Sequence, residues 1–373
     1  MKMNVCVLAI TLAIASVSAA SPAAASPTTP DSVPAVLAST SAEVTHLLRQ
    51  PGFIETAISA MRDKALTTVA VSEVLATFDP GMRGAASAQL IDAERRLREL
   101  KGLPAVGAPL MQLRLVMPAD SSVDDVDARR VRVAATPIGD DRHWTKVSAR
   151  GADGSVVDVD SDTLPPFPLL MVGIDTRAAL HEGLAVVNEG LREKGLQTLG
   201  GRRAGEALEL TVLDKIRLKV DQEPNIKGAA EIFAIESGIQ VDEAKAEMRT
   251  FEMPWLDYDK TDYYPNQELV VWNKYRFGLA NIQMFEEDGN TNYKTMLSGL
   301  LAAVTVAIGP FQPTVALVGR IADEVLKIMP DGWFVDDHDY VESFYLLRKG
   351  QTYVDHTGAA GNATVSLSPL VID

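Results

Sequence analysis

Between Trp255 and Trp272 the rings of Trp255, Tyr258, Tyr263, Tyr264 and Trp272 are interleaved with the carboxylates of Asp257, Asp259 and Asp262. Flat apolar faces beside strong hydrogen-bond acceptors suit a sugar or a peptide, since a ring stacks while a carboxylate oxygen takes hydroxyl or amide protons. Two of these aspartates, held roughly 5 to 9.5 Å apart, would instead supply the acid and base of glycoside hydrolysis. The same residue types also serve a packed core whose turns are capped by aspartate. Trp255, Asp257, Asp259, Asp262, Tyr263 and Tyr264 are therefore the candidate binding residues.

Hard oxygen ligands cluster in two further places, Asp221 with Glu223, and Asp336 with Asp337 and Asp339. Both flank predicted strands, where loop carboxylates can share Ca2+; a solvated acidic turn has the same composition. Asp158, Asp160 and Asp162 imitate the start of a calcium loop, but Thr163 stands at the turning-glycine position and Leu169 at the closing glutamate. His181–Glu182 begins like a zinc-protease helix, yet Ala185 occupies the place of the second imidazole. His46, His143, His181, His338 and His356 are too scattered to make a ligand set by spacing. No nucleophile elbow, Walker loop or dinucleotide fingerprint is present.

Charge and cysteine content narrow the classes. With 35 basic and 50 acidic residues the chain carries a net −15, which disfavours a nucleic-acid partner. Residues 251–373 hold 17 carboxylates against 8 lysines and arginines, so acidity concentrates at that end, together with all eight tyrosines. The single cysteine, Cys6, lies near the start. There Lys2 precedes an apolar run, Val5 to Val17, that ends in Ser18, Ala19 and Ala20, the pattern of a secretory signal peptide over residues 1–20. The run is shorter than the roughly 20 residues of a span, so cleavage is expected and no transmembrane segment remains after it. The mature chain then has no thiol for a disulfide, a thiolate metal site or a nucleophile. A Ser, Pro, Ala and Thr-rich stretch over 21–40 is expected to be a disordered leader, and the address is secreted or periplasmic.

The elements that must position these groups divide into two expected domains. Over 41–200 the pattern is α+β: two short amphipathic helices up to Leu66, a helix from Gly84 or Ala85 to Leu100, strands at Met111 to Val116, Val131 to Val133 and Pro168 to Ile174, and a helix from Arg177 to Lys194. Over 205–373 several short strands joined by polar turns suggest an antiparallel β-sandwich-like domain. Val212 to Val220 alternates cleanly, with Lys215, Arg217 and Lys219 opposite Ile216, Leu218 and Val220, and is expected to pair with Ala230 to Ile235. A helical hairpin over about 293–329 interrupts the strands, its second helix carrying Asp323 and Lys327 at a pairing distance of one turn.

Leu213 to Leu218, Asp221 to Pro224, Gly228 to Ile232, Asp257 to Asp259, Asp262 to Gln267 and Gly358 to Asn362, with Gly139 to Trp144 earlier, resemble a bacterial secreted family catalogued only as a domain of unknown function. The resemblance covers most of the mature chain and implies secretion by a bacterium; it brings no assigned catalytic or binding residue. The expected function is a non-catalytic extracytoplasmic binding protein for a glycan or peptide, with Ca2+ as the one cofactor to consider. A hydrolase using paired aspartates and an envelope structural protein are the alternatives.

Overall fold

Helix α1 (Val33–Leu47) opens at Ser32, whose hydroxyl accepts from the Ala35 amide, and Pro34 sits in the first turn, where an absent N–H leaves nothing unpaired. Val33, Val36, Leu37, Val44 and Leu47 form one buried stripe, so residues 33–40 belong to the core and not to a disordered leader. Small and polar residues around them masked a helical apolar spacing. The computed structural model describes residues 32–64, 67–79, 84–138, 145–161, 163–198, 206–220, 230–287, 289–308, 314–328 and 340–373. The expected signal peptide and residues 21–31 lie outside the described residues.

After α2 (Phe53–Asp63), β1 (Thr68–Ala70), α3 (Val71–Phe78) and α4 (Ala85–Leu100) come β2 (Met111–Val116), β3 (Arg132–Ala135), β4 (Lys146–Gly151), β5 (Val156–Asp160), β6 (Leu169–Ile174) and α5 (Thr176–Glu193). The strands order as β1-β2-β6-β3-β4-β5, antiparallel except where β3 runs parallel to β6. Every residue of β6 is buried, as its continuous apolar run requires of a strand covered on both faces. Helix α1 packs against β3, β6 and α4, while α5 packs against one strand and one helix of the second half.

The second half contributes β7 (Leu208–Leu218), β8 (Ile232–Gln240), β9 (Ala246–Glu252), β10 (Gln267–Val271), β11 (Tyr275–Glu286), α6 (Tyr293–Ile308), α7 (Val315–Ile328), β12 (Tyr340–Arg348), β13 (Tyr353–Thr357) and β14 (Ala363–Ile372). Two antiparallel four-stranded sheets, β10-β7-β14-β13 and β12-β11-β8-β9, share one core. The molecule is thus α+β, with a sandwich-like second half carrying a helical hairpin.

Strands β7 and β8 do not pair with each other, contrary to the hairpin expected from their adjacency; β7 lies between β10 and β14, and β8 between β11 and β9. The burial pattern gives the reason. Ile216 and Leu218 of β7 point into the sandwich while Arg217 stays outside, so β7 suits an outer sheet. Strand β8 is buried at all positions, with Ile232 and Ala234 facing the sandwich and Phe233 and Ile235 facing helices, and only a middle layer covers both sides.

Helices α5, α6 and α7 form that covering layer. Buried Asn281 and Gln283 of β11 donate from their amides to the carbonyls of Val318 (2.7 Å) and Ala322 (3.1 Å), tying α7 to the sheet. On the outer side of α7, Lys327 pairs with Glu324 at 3.0 Å and not with Asp323. One apolar cluster runs without a break from α1 through β2 and α5 to β8, α6 and α7, so the two halves share a core. No helix among the described residues is long and apolar enough to cross a membrane.

Candidate functional site

The aromatic and acidic segment is the connection between β9 and β10, and two buried residues, Met253 and Leu256, anchor it in the sandwich core. Past them the chain follows the edge of β7: Ile216 and Tyr263 exchange backbone hydrogen bonds of 3.0 and 2.9 Å, and the Lys260 amide donates to the Leu218 carbonyl at 2.8 Å. These bonds turn a loop of fourteen or so residues into a fixed platform. Lys260 and Asn266 take left-handed backbone conformations, φ 54° and 48°, where the path reverses.

The rings divide by burial. Trp255 and Tyr263 are half-buried, with centroids 5.9 Å apart, and the Tyr263 hydroxyl accepts from the Tyr258 amide at 2.9 Å. Trp272 is buried, and its indole donates to Thr211 at 2.9 Å, so it belongs to the core. Tyr258 and Tyr264 are 60% and 66% exposed, far more than a packing role needs.

Each carboxylate of the segment has its own cation. Asp257 pairs with Arg177 of α5 at 2.8 Å, and Asp259 with Lys260 at 2.6 Å. Asp262 lies between Arg217 (3.3 Å) and Lys215 (3.6 Å), the basic outer face of β7. Lys215 also donates to Asp355, and those carboxylates hold its ammonium above its ordinary pKa. Nearby, His181 Nδ1 lies 2.7 Å from Glu252. The structure gathers Trp255, Tyr263 and the Tyr258 backbone into one contact, while ion pairs draw Asp257 toward α5 and Asp262 toward β7. Each of these aspartates thus accepts from a cation of its own.

Asp221, Glu223, Asp336, Asp337 and Asp339, the candidate calcium ligands, lie outside the described residues, as do His143 and His338. Among the described residues no group of three or more His, Cys, Asp or Glu is placed to hold a metal ion. Of the failed calcium loop, Asp158 accepts from Ser148 at 2.8 Å across β4 and β5. Glu182, beside His181, accepts from the Ala108 amide at 2.7 Å and from Arg98.

Sequence reasoning passed over the buried acids. Glu342 of β12 accepts from the amides of Ser343 (2.8 Å), Ala360 (2.6 Å), Asn362 (2.8 Å) and Ala363 (2.9 Å), so the 358–363 loop wraps around one carboxylate. Glu236 and Glu247 face the sandwich at the β8–β9 edge, where burial raises both above the usual glutamate pKa. Arg249, opposite Glu236, opposes the rise there, and the Thr198 amide and hydroxyl oppose it at Glu247. Single acids inside apolar runs were the only linear signal for them.

Neither a curated protein nor a solved structure matches this chain. A family match covers residues 44–373, all but the first part of the chain. The chain therefore belongs to the family described as protein of unknown function (DUF3103).

Proposed function

We propose that this chain is a non-catalytic extracytoplasmic binding protein whose 255–264 platform takes up a neutral glycan. The observation that carries the reading is the exposure of Tyr258 and Tyr264 beside carboxylates already neutralised by Arg177, Lys215, Arg217 and Lys260. Such a surface presents ring faces and hydrogen-bonding atoms with little net charge, which favours a ligand of hydroxyls and C–H faces over a cationic peptide. Backbone pairing to β7 holds the platform in place before a ligand arrives, reducing the ordering cost of binding. Export rests on Lys2 and the Val5 to Val17 run, followed by removal of residues 1–20. Ca2+ taken up by Asp221, Glu223, Asp336, Asp337 and Asp339 would stabilise the folded chain by binding it.

The test is a melting-temperature and tryptophan-fluorescence screen of the protein lacking residues 1–20, against neutral oligosaccharides, cationic peptides and Ca2+ with a chelator control. A saturable fluorescence change with an oligosaccharide, accompanied by a rise in melting temperature, supports the glycan reading. Turnover of any oligosaccharide, or a response confined to peptides, refutes it.

A further inference from the structure

At one end of the β1–β6 sheet a cleft of about 880 Å3 opens between the α1–α2 connection, the stretch leading into β3, the β4–β5 turn and Phe167. That volume is within the usual range for small-molecule sites, roughly 300–1,000 Å3. Its wall carries Arg49, Arg129, Arg130 and Arg132 against Glu55 and Asp153, four positive charges to two negative, on a chain whose net charge is −15. A local reversal of sign against so acidic a background concentrates small anions and repels long polyanions, which would meet the surrounding carboxylates.

Three of the arginines are fixed by bonds that leave donors free. Arg49 Nε donates to the Ala152 carbonyl at 2.8 Å, and Arg130 Nη2 to the Pro166 carbonyl at 3.1 Å. Arg132 Nη1 donates to Ser155 Oγ at 3.0 Å, and its guanidinium lies 5.1 Å over the Phe167 ring. Each guanidinium has five N–H groups in a planar fork, so most donors remain available. Arg129 has no side-chain partner among the described residues and is exposed at the rim. Of the two carboxylates, Asp153 accepts from the Ser155 hydroxyl (2.6 Å) and amide (2.9 Å), and these bonds, with a smaller contribution from Arg132, hold its pKa below the usual value. Gly151 permits this closure: a Cβ there would stand 2.7 Å from Asp153 Oδ1 and 3.3 Å from Arg132 Nη1. Leu48, Ile54, Val131 and Phe167 supply an apolar lining.

We propose that this cleft binds a small molecule bearing a carboxylate or phosphate group on an apolar body, the oxyanion held by Arg49, Arg129, Arg130 and Arg132. The site is separate from the 255–264 platform and does not depend on the glycan reading.

The experiment is calorimetric titration at low salt with phenyl phosphate, phenylacetate and, as the neutral control, benzyl alcohol. Saturable binding of either anion but not the alcohol, weakened by added salt, is the expected result, and the anion that binds identifies the oxyanion. Arg129→Ala, which removes a side chain with no described partner and keeps the backbone amide that donates to Asp127, lowers the affinity about ten-fold, close to the value of a charge-assisted hydrogen bond; the Arg129→Ala/Arg130→Ala pair lowers it further. Binding of neither anion overturns the proposal, and so does affinity unchanged in Arg129→Ala with the melting temperature retained.

Discussion

Lys101 Nζ stands 2.7 Å from Glu287 Oε1, and neither side chain reaches solvent. Lys101 is the residue just past α4 in the first half of the chain, and Glu287 the residue just past β11 in the second. Around them the Tyr293 hydroxyl donates to Glu287 Oε2 at 3.0 Å, Lys101 Nζ reaches the Gly289 carbonyl at 3.0 Å, and the Tyr293 amide donates to the Lys101 carbonyl at 2.9 Å. Burial and the neighbouring Glu287 carboxylate hold the Tyr293 phenol well above its ordinary pKa, so it stays a donor. The C-terminus of α4 thus receives its caps from the start of α6, which is how a chain expected to form two domains comes to share one core.

Breaking that pair by Lys101→Met or Glu287→Gln leaves a buried charge without its partner and costs about 3–5 kcal/mol in urea unfolding. The double variant loses less than the sum of the two, because no lone charge remains. Singles within the error of the parent would show the pair to be energetically idle.

Glu342 organises the 358–363 loop through four amides, so Glu342→Ala strands those donors and destabilises by about 3 kcal/mol or more. Gly358 lies against the Glu342 side chain with no room for a Cβ. Gly358→Ala therefore raises hydrogen exchange at residues 359–363 first, a local effect that exchange mass spectrometry reads directly.

The pH dependence of stability follows from Glu247. Its pKa is raised on folding by burial, so the native state keeps the proton after the unfolded chain has released it. The stability this contributes is complete below the usual glutamate value of about 4.5 and is lost as pH rises through the raised one. Glu247→Gln keeps an acceptor for Thr198 and removes the titration. Its unfolding free energy falls less than that of the parent as pH rises from the usual glutamate value through the raised one; equal slopes would reject the assignment.

Two glycines of α5 separate competing effects. A Cβ at Gly183 would enter the Tyr293 ring, and one at Gly190 the Leu297 side chain. Replacing a helical glycine by alanine gains about 1 kcal/mol, whereas overpacking costs about 1–3. Tyr293 is pinned by Glu287 and cannot yield, but Leu297 is half-buried and can change rotamer. Gly183→Ala is accordingly destabilising in thermal melts and Gly190→Ala close to neutral.

On the platform, Tyr258→Ala with Tyr264→Ala removes exposed rings and leaves stability within about 0.5 kcal/mol. A glycan identified by the screen loses about ten-fold or more in affinity, at about 0.5–1.5 kcal/mol per ring. Retained affinity would move the binding surface elsewhere.

What could be read along the chain is what near neighbours decide. The alternation of Lys215 to Val220, the continuous apolar run into Ile174 and the spacings of α4, α5 and the α6–α7 hairpin follow from periods of two and 3.6 residues, and with them the α+β class. The Trp255 to Tyr264 segment stood out as a candidate for the same reason, since its residue types lie side by side. The tertiary structure decided everything that depends on partners far away in the chain. Strand β8 left β7 for a middle layer because both its faces need cover; Asp257 and Asp262 went to different cations on α5 and β7; and Lys101 found Glu287 across 186 positions. Ala128 to Arg132 showed three arginines in a row of five, yet only folding brought Arg49 beside them and set a basic cleft into an acidic chain. Charge sums and periodicities average over sequence, whereas electrostatics and packing act through space, over a few ångströms.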